Sequence, residues 1–253
     1  MPLPEKQGVG SSILPLATKI LMKLLEYILD FYIIFLHNKK LIKKLDTKKF
    51  NTIIDIGAHK LELFTSLKKF NYEFDQYIAF EPEKNLFNGL MQKYNLEEKT
   101  KLYNLAIGNV NKEEKLFLNT FSSLHTFSEI NPDLFKYKIK NYISKLFRKN
   151  EILTQNVDVV KLDNFINKID KPVSVIKIDT EGYEKQVLEG ATEFFLEHNP
   201  SYLIIEFQYE NNYKNYYPNE IEKLIYKLGY KKVFELFGPF KLFKDIIYRK
   251  SYK

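Results

Sequence analysis

Between residues 13 and 36 the apolar side chains Leu16, Ala17, Ile20, Leu21, Leu24, Leu25, Ile28, Phe31, Tyr32 and Phe35 recur at helical spacing. Lys19, Lys23, Glu26 and Asp30 step by 4, 3 and 4 along the other side. The pattern predicts an amphipathic helix with a wide apolar face. Four charges make it a poor membrane span, since each costs about 2.5 to 3.5 kcal/mol near a bilayer centre. No small-residue cleavage site follows it, so it does not read as a signal peptide. Its apolar side is expected to pack on the main domain or on a second copy of the chain, or to touch a membrane surface. Ahead of it, residues 1 to 12 hold two Pro, two Gly and two Ser and read as a flexible start.

From residue 51 the pattern alternates between strand and helix. Strands are expected at 51–56, 76–80, 101–107, 173–179 and 202–207, with helices at 60–70, 83–94, 183–198 and 219–228. Weaker strand patterns lie at 114–118 and 157–160, and a short helix is expected from Asp163. Residues 120–150 read as an irregular or helical insertion, and the tail as two strands around Gly238–Pro239. Alternation of this kind implies a mostly parallel sheet with crossover helices. The organisation that follows is a flexible start at 1–12, a helical appendage at 13–48 and one α/β domain at 49–253, with an insertion at about 119–156.

Composition narrows this little. The hydrophobic share is 45%, enough for a large core. The absence of Cys excludes disulfides, thiolate metal sites and Cys nucleophiles, and is compatible with a cytoplasmic protein. The net charge of +7 comes from scattered lysines, which speaks to solubility and loose anion attraction. No aromatic-basic interleaving points to nucleic acid as a partner.

In a parallel sheet, ligands bind at the carboxyl ends of the strands. Those ends carry Asp55, Gly57, Ala58 and His59; Glu81–Pro82; Ala106, Gly108 and Asn109; and Asp179, Glu181, Gly182 and Glu184. Gly57–Ala58 allows the backbone close to a ligand. Glu81 ends the neighbouring strand, where an acid accepts hydrogen bonds from both hydroxyls of a ribose. The loop has one glycine and lacks the glycines that seat a pyrophosphate. A nucleoside ligand without phosphate therefore fits best, and S-adenosylmethionine is one whose cationic sulfonium tolerates nearby carboxylates.

Asp55–Ile56–Gly57–Ala58, Phe80–Glu81–Pro82, Ala106–Ile107–Gly108–Asn109, Leu162–Asp163–Asn164–Phe165 and Lys177–Ile178–Asp179–Thr180–Glu181–Gly182–Tyr183–Glu184, running on to Val187–Leu188–Glu189–Gly190–Ala191, follow one another in this order. Together with Ser122–Ser123–Leu124, these blocks resemble the FkbM-type S-adenosylmethionine-dependent methyltransferases over roughly residues 50 to 210. The resemblance implies a class I methyltransferase, Rossmann-like fold. Its seven-stranded, mostly parallel sheet would have helices on both faces and an antiparallel last strand. Leu61 departs from the pattern, standing where the family has a third small residue. It is expected to shift the helix start, narrow the pocket or weaken binding.

What the resemblance implies for chemistry is methyl transfer to a hydroxyl, often of a sugar, glycan or related small metabolite. Asp55, Gly57, Ala58, His59, Glu81, Ala106 and Asp179 are the expected cofactor contacts. Asp179 is expected to be the central acid, with Glu181 as base or orienter and His125 as a further candidate base. Glu184 is expected to be a helix-face residue. An oxygen cage for a divalent cation from Asp179, Glu181 and Glu206 is not demanded by the spacing, and no metal is expected. Tyr209, Tyr213, Tyr216 and Tyr217, with Phe121 and Phe127, read either as a sugar-stacking rim or as core. Two alternatives stay open: a cofactor-binding scaffold with weak or no activity, motivated by Leu61, and a nucleic-acid methyltransferase, motivated by the charge.

Overall fold

The computed structural model describes residues 20, 23–24, 27–94, 99–118, 125–129, 153–209, 212–241 and 243–251. The start at residues 1–12, Phe121, the Ser122–Ser123–Leu124 block and most of the expected insertion lie outside the described residues.

The chain enters through a helix. Residues 27–32 are helical and run into a π-turn, Ile33–His37, and then α1, Asn38–Ile42. Strand β1 (Lys49–Ile56), helix α2 (Glu62–Lys69), strand β2 (Glu73–Phe80) and helix α3 (Lys84–Lys93) follow. The expected strand at 101–107 is two strands, β3 (Thr100–Tyr103) and β4 (Ala106–Ile107), which enter different sheets. Asn104 marks the parting: its Nδ2 donates to the carbonyls of Glu81 and Pro82 at 2.9 and 3.0 Å, tying the end of β3 to β2. Strands β5 (Lys112–Leu118) and β6 (Leu153–Val160) join β4 in a three-stranded sheet of order β4-β6-β5, with β6 between the other two. A 3-10 turn, Leu162–Lys168, leads to β7 (Val173–Ile178).

The expected helix 183–198 is broken into α4 (Glu184–Glu189) and α5 (Thr192–His198). Gly190 marks the break, because a Cβ there would lie 1.8 Å from the carbonyl oxygen of Gly108. The L-D-x-F block serves the same junction. Asp163 accepts a hydrogen bond from the Phe194 N–H at 2.8 Å and donates its own N–H to Gly190. Strand β8 (Tyr202–Phe207), helix α6 (Pro218–Lys227) and strands β9 (Tyr230–Phe237) and β10 (Lys244–Lys250) complete the chain.

The main sheet has seven strands in the order β3-β2-β1-β7-β8-β10-β9. Strands β3, β2, β1, β7 and β8 pair in parallel, and β10, the last in sequence, is antiparallel to both its neighbours, as expected. Alternation along each strand sends side chains to opposite faces. Ile53, Tyr77, Val175, Ile204 and Ile247 pack under α1, α2 and α3. Ile54, Ile78, Ile176, Ile205 and Ile246 pack against α4, α5, α6 and the small sheet. Strand β8 is buried along its whole length, as suits a strand covered on both faces.

Candidate functional site

Five of the main strands run the same way, so their carboxyl ends form one edge. There β1 passes into a loop with three left-handed residues, Gly57 (φ 80), His59 (φ 45) and Leu61 (φ 61). Gly57 is required: a Cβ there would lie 1.8 Å from the Asp179 carbonyl oxygen, so the loops after β1 and β7 touch through backbone. Leu61 takes a conformation that suits glycine, yet its side chain is fully buried beside Ala58, Leu63 and Phe64. It therefore fills the core under the loop and does not narrow the open side.

Glu81 ties the loop to β2. Its Oε2 accepts the His59 N–H and its Oε1 the Glu83 N–H, both at 2.8 Å. Burial drives its pKa up to about 7, against the lowering effect of these hydrogen bonds and of His59. Glu83 in turn caps α3 by accepting from the N–H groups of Asn85 and Leu86. The His59 ring turns to the helix, with Nδ1 2.6 Å from Glu62 Oε1. Burial works against charge on both partners, but the pair prevails, raising the pKa of His59 and lowering that of Glu62.

A second group of polar residues crosses the sheet. Asp55 pairs with Lys177 across β1 and β7, and Glu206 with Asp245 across β8 and β10. The Lys177 ammonium lies 2.7 Å from Asp179 Oδ2 and 4.0 Å from Asp55 Oδ1. Burial disfavours its charge, but Asp179, Asp55 and Asp245 overcome this and hold its pKa above the ordinary lysine value. Asp55 also accepts from the Tyr77 hydroxyl at 2.5 Å. It is fully buried, so it supports the loop from beneath and opens no atom to a ligand in this conformation.

Past β7, carboxylate oxygens of Asp179, Glu181 and Glu206 lie within 4.8 Å of one another. Burial pushes the Glu206 pKa well up, and Asp179, Glu181 and Asp245 push it further. Glu181 has φ 50 and its Oε2 accepts from the Tyr213 hydroxyl at 2.6 Å. Its carbonyl accepts from Thr126 Oγ1 at 2.5 Å, and the Gly182 carbonyl from Ser128 Oγ at 2.8 Å. His125 stands next to this clasp, where Thr126 bridges to Phe117.

Three further sets of residues take definite places. Glu184 is a fully buried residue that folds back, its Oε1 accepting from the N–H groups of Thr180 and Gly182 and from the Thr180 hydroxyl. Burial raises its pKa to about 7. Ala106 is buried in β4, paired with Val159 in the small sheet, and packs there. Tyr213 and Tyr216 belong to the core, and Phe127 packs on Tyr183 at 5.0 Å, while Tyr209 and Tyr217 are exposed. The pattern thus unites Glu81 with the Gly57 loop, and Asp179 with Glu181 and Glu206. Lys177 was overlooked as a site residue, although a lysine within an apolar strand signals buried carboxylate partners. Tyr213, Thr126 and Asn104 carry no such signal, because their contacts exist only once the chain is folded.

A cavity of about 510 Å³ between Ile166–Pro172 and Glu197–His198 lies near the start of β7, at the opposite end of the sheet from these residues.

The chain matches the family described as the methyltransferase FkbM domain over residues 55–232. No curated protein matches it. Among solved structures, it is similar to a methyltransferase FkbM from Methylobacillus flagellatus KT, with a TM-score of 0.53 and 14% identity. The match covers 87% of this chain and 47% of that one, so the chain spans about half the length of that relative. A magnesium protoporphyrin IX methyltransferase from Synechocystis with bound S-adenosylmethionine has 8% identity and a TM-score of 0.47, covering 85% of this chain and 76% of that one. A putative tRNA (m1A22) methyltransferase from Streptococcus pneumoniae, also in complex with S-adenosyl-L-methionine, has 15% identity and a TM-score of 0.46, covering 85% and 73%.

Proposed function

The chain belongs to the FkbM methyltransferase family, and we propose that it transfers a methyl group from S-adenosylmethionine to a hydroxyl of a sugar, glycan or related small metabolite. The observation that carries this reading is the convergence of Asp179, Glu181 and Glu206 at the end of β7 and β8. The residues present suit the cofactor. Their carboxylates outnumber the one Lys177 ammonium beside them, which favours a ligand carrying positive charge. Glu81 lies against the one-glycine loop, where an acid suits ribose hydroxyls.

The cofactor supplies a methyl group made electrophilic by a sulfonium. This chain supplies position and proton transfer. Glu81 would hold the ribose hydroxyls, and the Gly57 loop would let backbone approach the ligand. Asp179, fixed by Lys177, would orient the cofactor's ammonium or the acceptor. Glu181, steadied by Tyr213, would take the proton of the acceptor hydroxyl. Calorimetry with S-adenosylmethionine, followed by transfer of labelled methyl to a panel of glycosides, tests the proposal. Absence of binding at millimolar cofactor sinks it, and methylation of RNA in place of glycosides moves the acceptor to nucleic acid.

A further inference from the structure

The entry helix presents two different surfaces to the domain. At its inner end it is docked: Leu41 and Ile42 are buried, Asn38 Nδ2 donates to Ser66 Oγ at 3.1 Å, and His37 Nε2 lies 2.6 Å from Asp245 Oδ2. Before the π-turn the order is reversed. Asp30 faces the domain and accepts from Lys60 at 3.0 Å, while the apolar residues face away. Ile20, Leu24, Ile28 and Phe31 are 59, 52, 55 and 49% exposed. They follow one another at steps of 4, 4 and 3, so they form a single stripe. One extra residue in the π-turn rotates helix faces by about 100°, so the stripe does not continue into the docked face.

Basic residues gather where the stripe meets the domain. Lys69 stands 5.4 Å over the Phe35 ring and Lys39 5.0 Å over the neighbouring Phe70. On the exposed side, Leu36 is followed by Lys40 at i+4, with Lys43 and Lys44 in the next turn, all of them exposed. An apolar stripe bordered by lysines, with acidic Asp30 turned inward, matches the apolar interior and anionic headgroups of a bilayer surface. A protein interface uses about 20 to 30 residues a side, far more than this stripe offers. Among the described residues no helix is long and apolar enough to cross a membrane.

We propose that Ile20, Leu24, Ile28, Phe31 and Leu36 lie on an anionic lipid surface, with Lys40, Lys43, Lys44 and Lys69 against the headgroups. This reading is independent of the acceptor chemistry. The test is flotation of the full chain with phosphatidylcholine vesicles, with and without about 30% phosphatidylserine, at low and high salt. The chain should float with the anionic vesicles alone and lose partitioning at high salt. Lys40→Glu and Lys43→Glu should each lower it about fivefold or more. Leu24→Asp with Ile28→Asp should abolish it, while S-adenosylhomocysteine binding and the melting temperature stay unchanged. Equal flotation with neutral vesicles, or flotation indifferent to the lysines, overturns the proposal. So does a chain that floats with neither; if it is then a dimer that Ile28→Asp dissociates, the stripe meets a second copy. The wild-type comparison between the two vesicles stands even if a variant fails to fold.

Discussion

The carbonyl oxygen of Asp179 occupies the space a side chain on Gly57 would need, since a Cβ there would come within 1.8 Å of it. The acid proposed to orient the reaction and the loop proposed to receive the cofactor are therefore fixed to each other through backbone. Gly57→Ala adds a left-handed strain of about 1 to 2 kcal/mol and overpacking of about 1 to 3 kcal/mol. The expected result is a melting temperature lower by about 4 to 20 °C and loss of calorimetric S-adenosylhomocysteine binding. A variant that melts like wild type would show that the two loops separate easily.

Glu81 predicts a pH dependence with a definite sign. Burial raises its pKa to about 7, so near that pH it holds a proton that ribose hydroxyls, as donors, would have to displace. Affinity for S-adenosylhomocysteine should fall about tenfold per pH unit below 7 and level off above it. The same shift acts on the ligand-free fold. A carboxyl raised from 4.5 to about 7 contributes stability below 4.5 that is lost as pH rises through 7. In Glu81→Gln both slopes should flatten, with weaker binding throughout. Calorimetry from pH 5.5 to 8.5 decides this, and an unchanged slope in the variant assigns the proton elsewhere.

Much of this architecture was legible because the strands are short apolar runs ending in polar residues. The spacing of Asp55 and Glu81 marks the carboxyl edge in the sequence alone. Two elements differ from their sequence pattern because their boundaries depend on distant contacts. The 101–107 run reads as one strand, but its halves pair with β2 and with β6. The 183–198 run reads as one helix, but close packing of Gly190 on Gly108 breaks it. In the site, chemistry at strand ends was readable, and direction was not. Glu184 looks like a surface acid by period, yet it turns inward to serve the Thr180 and Gly182 N–H groups. Asp55 follows a cofactor motif, yet works beneath the loop on Tyr77.

Leu61 separates backbone cost from burial. Replacing it with glycine relieves about 1 to 2 kcal/mol of left-handed strain, since Leu61 has φ 61. The same change removes a fully buried leucine, for which truncation to Ala alone costs about 2 to 5 kcal/mol. Leu61→Gly should therefore destabilise by about 1 to 3 kcal/mol in urea unfolding, with cofactor affinity little changed. A stabilised variant would mean that the strain outweighs the packing, and tighter binding would restore the idea of a narrowed pocket.

Lys177 is the cation on which the buried acids depend, at 2.7 Å from Asp179 and 4.0 Å from Asp55. Lys177→Met keeps the length and apolar stem but leaves those carboxylates without it. Breaking a buried pair from one side costs about 3 to 5 kcal/mol, and the lower end is expected because Asp179 retains some contact with water. The sign with pH follows from the acids. Without Lys177 the folded-state pKa of Asp55, already raised by burial, rises further. Folding then takes up a proton, and the deficit relative to wild type should grow from pH 4 towards 7. Asp55→Asn added to Lys177→Met should recover part of the stability at neutral pH, since one uncompensated charge is gone. Urea unfolding of the two single variants and the double variant across this range measures the coupling. Additive losses, or a deficit independent of pH, would show that Lys177 is held by packing of its stem and not by these acids.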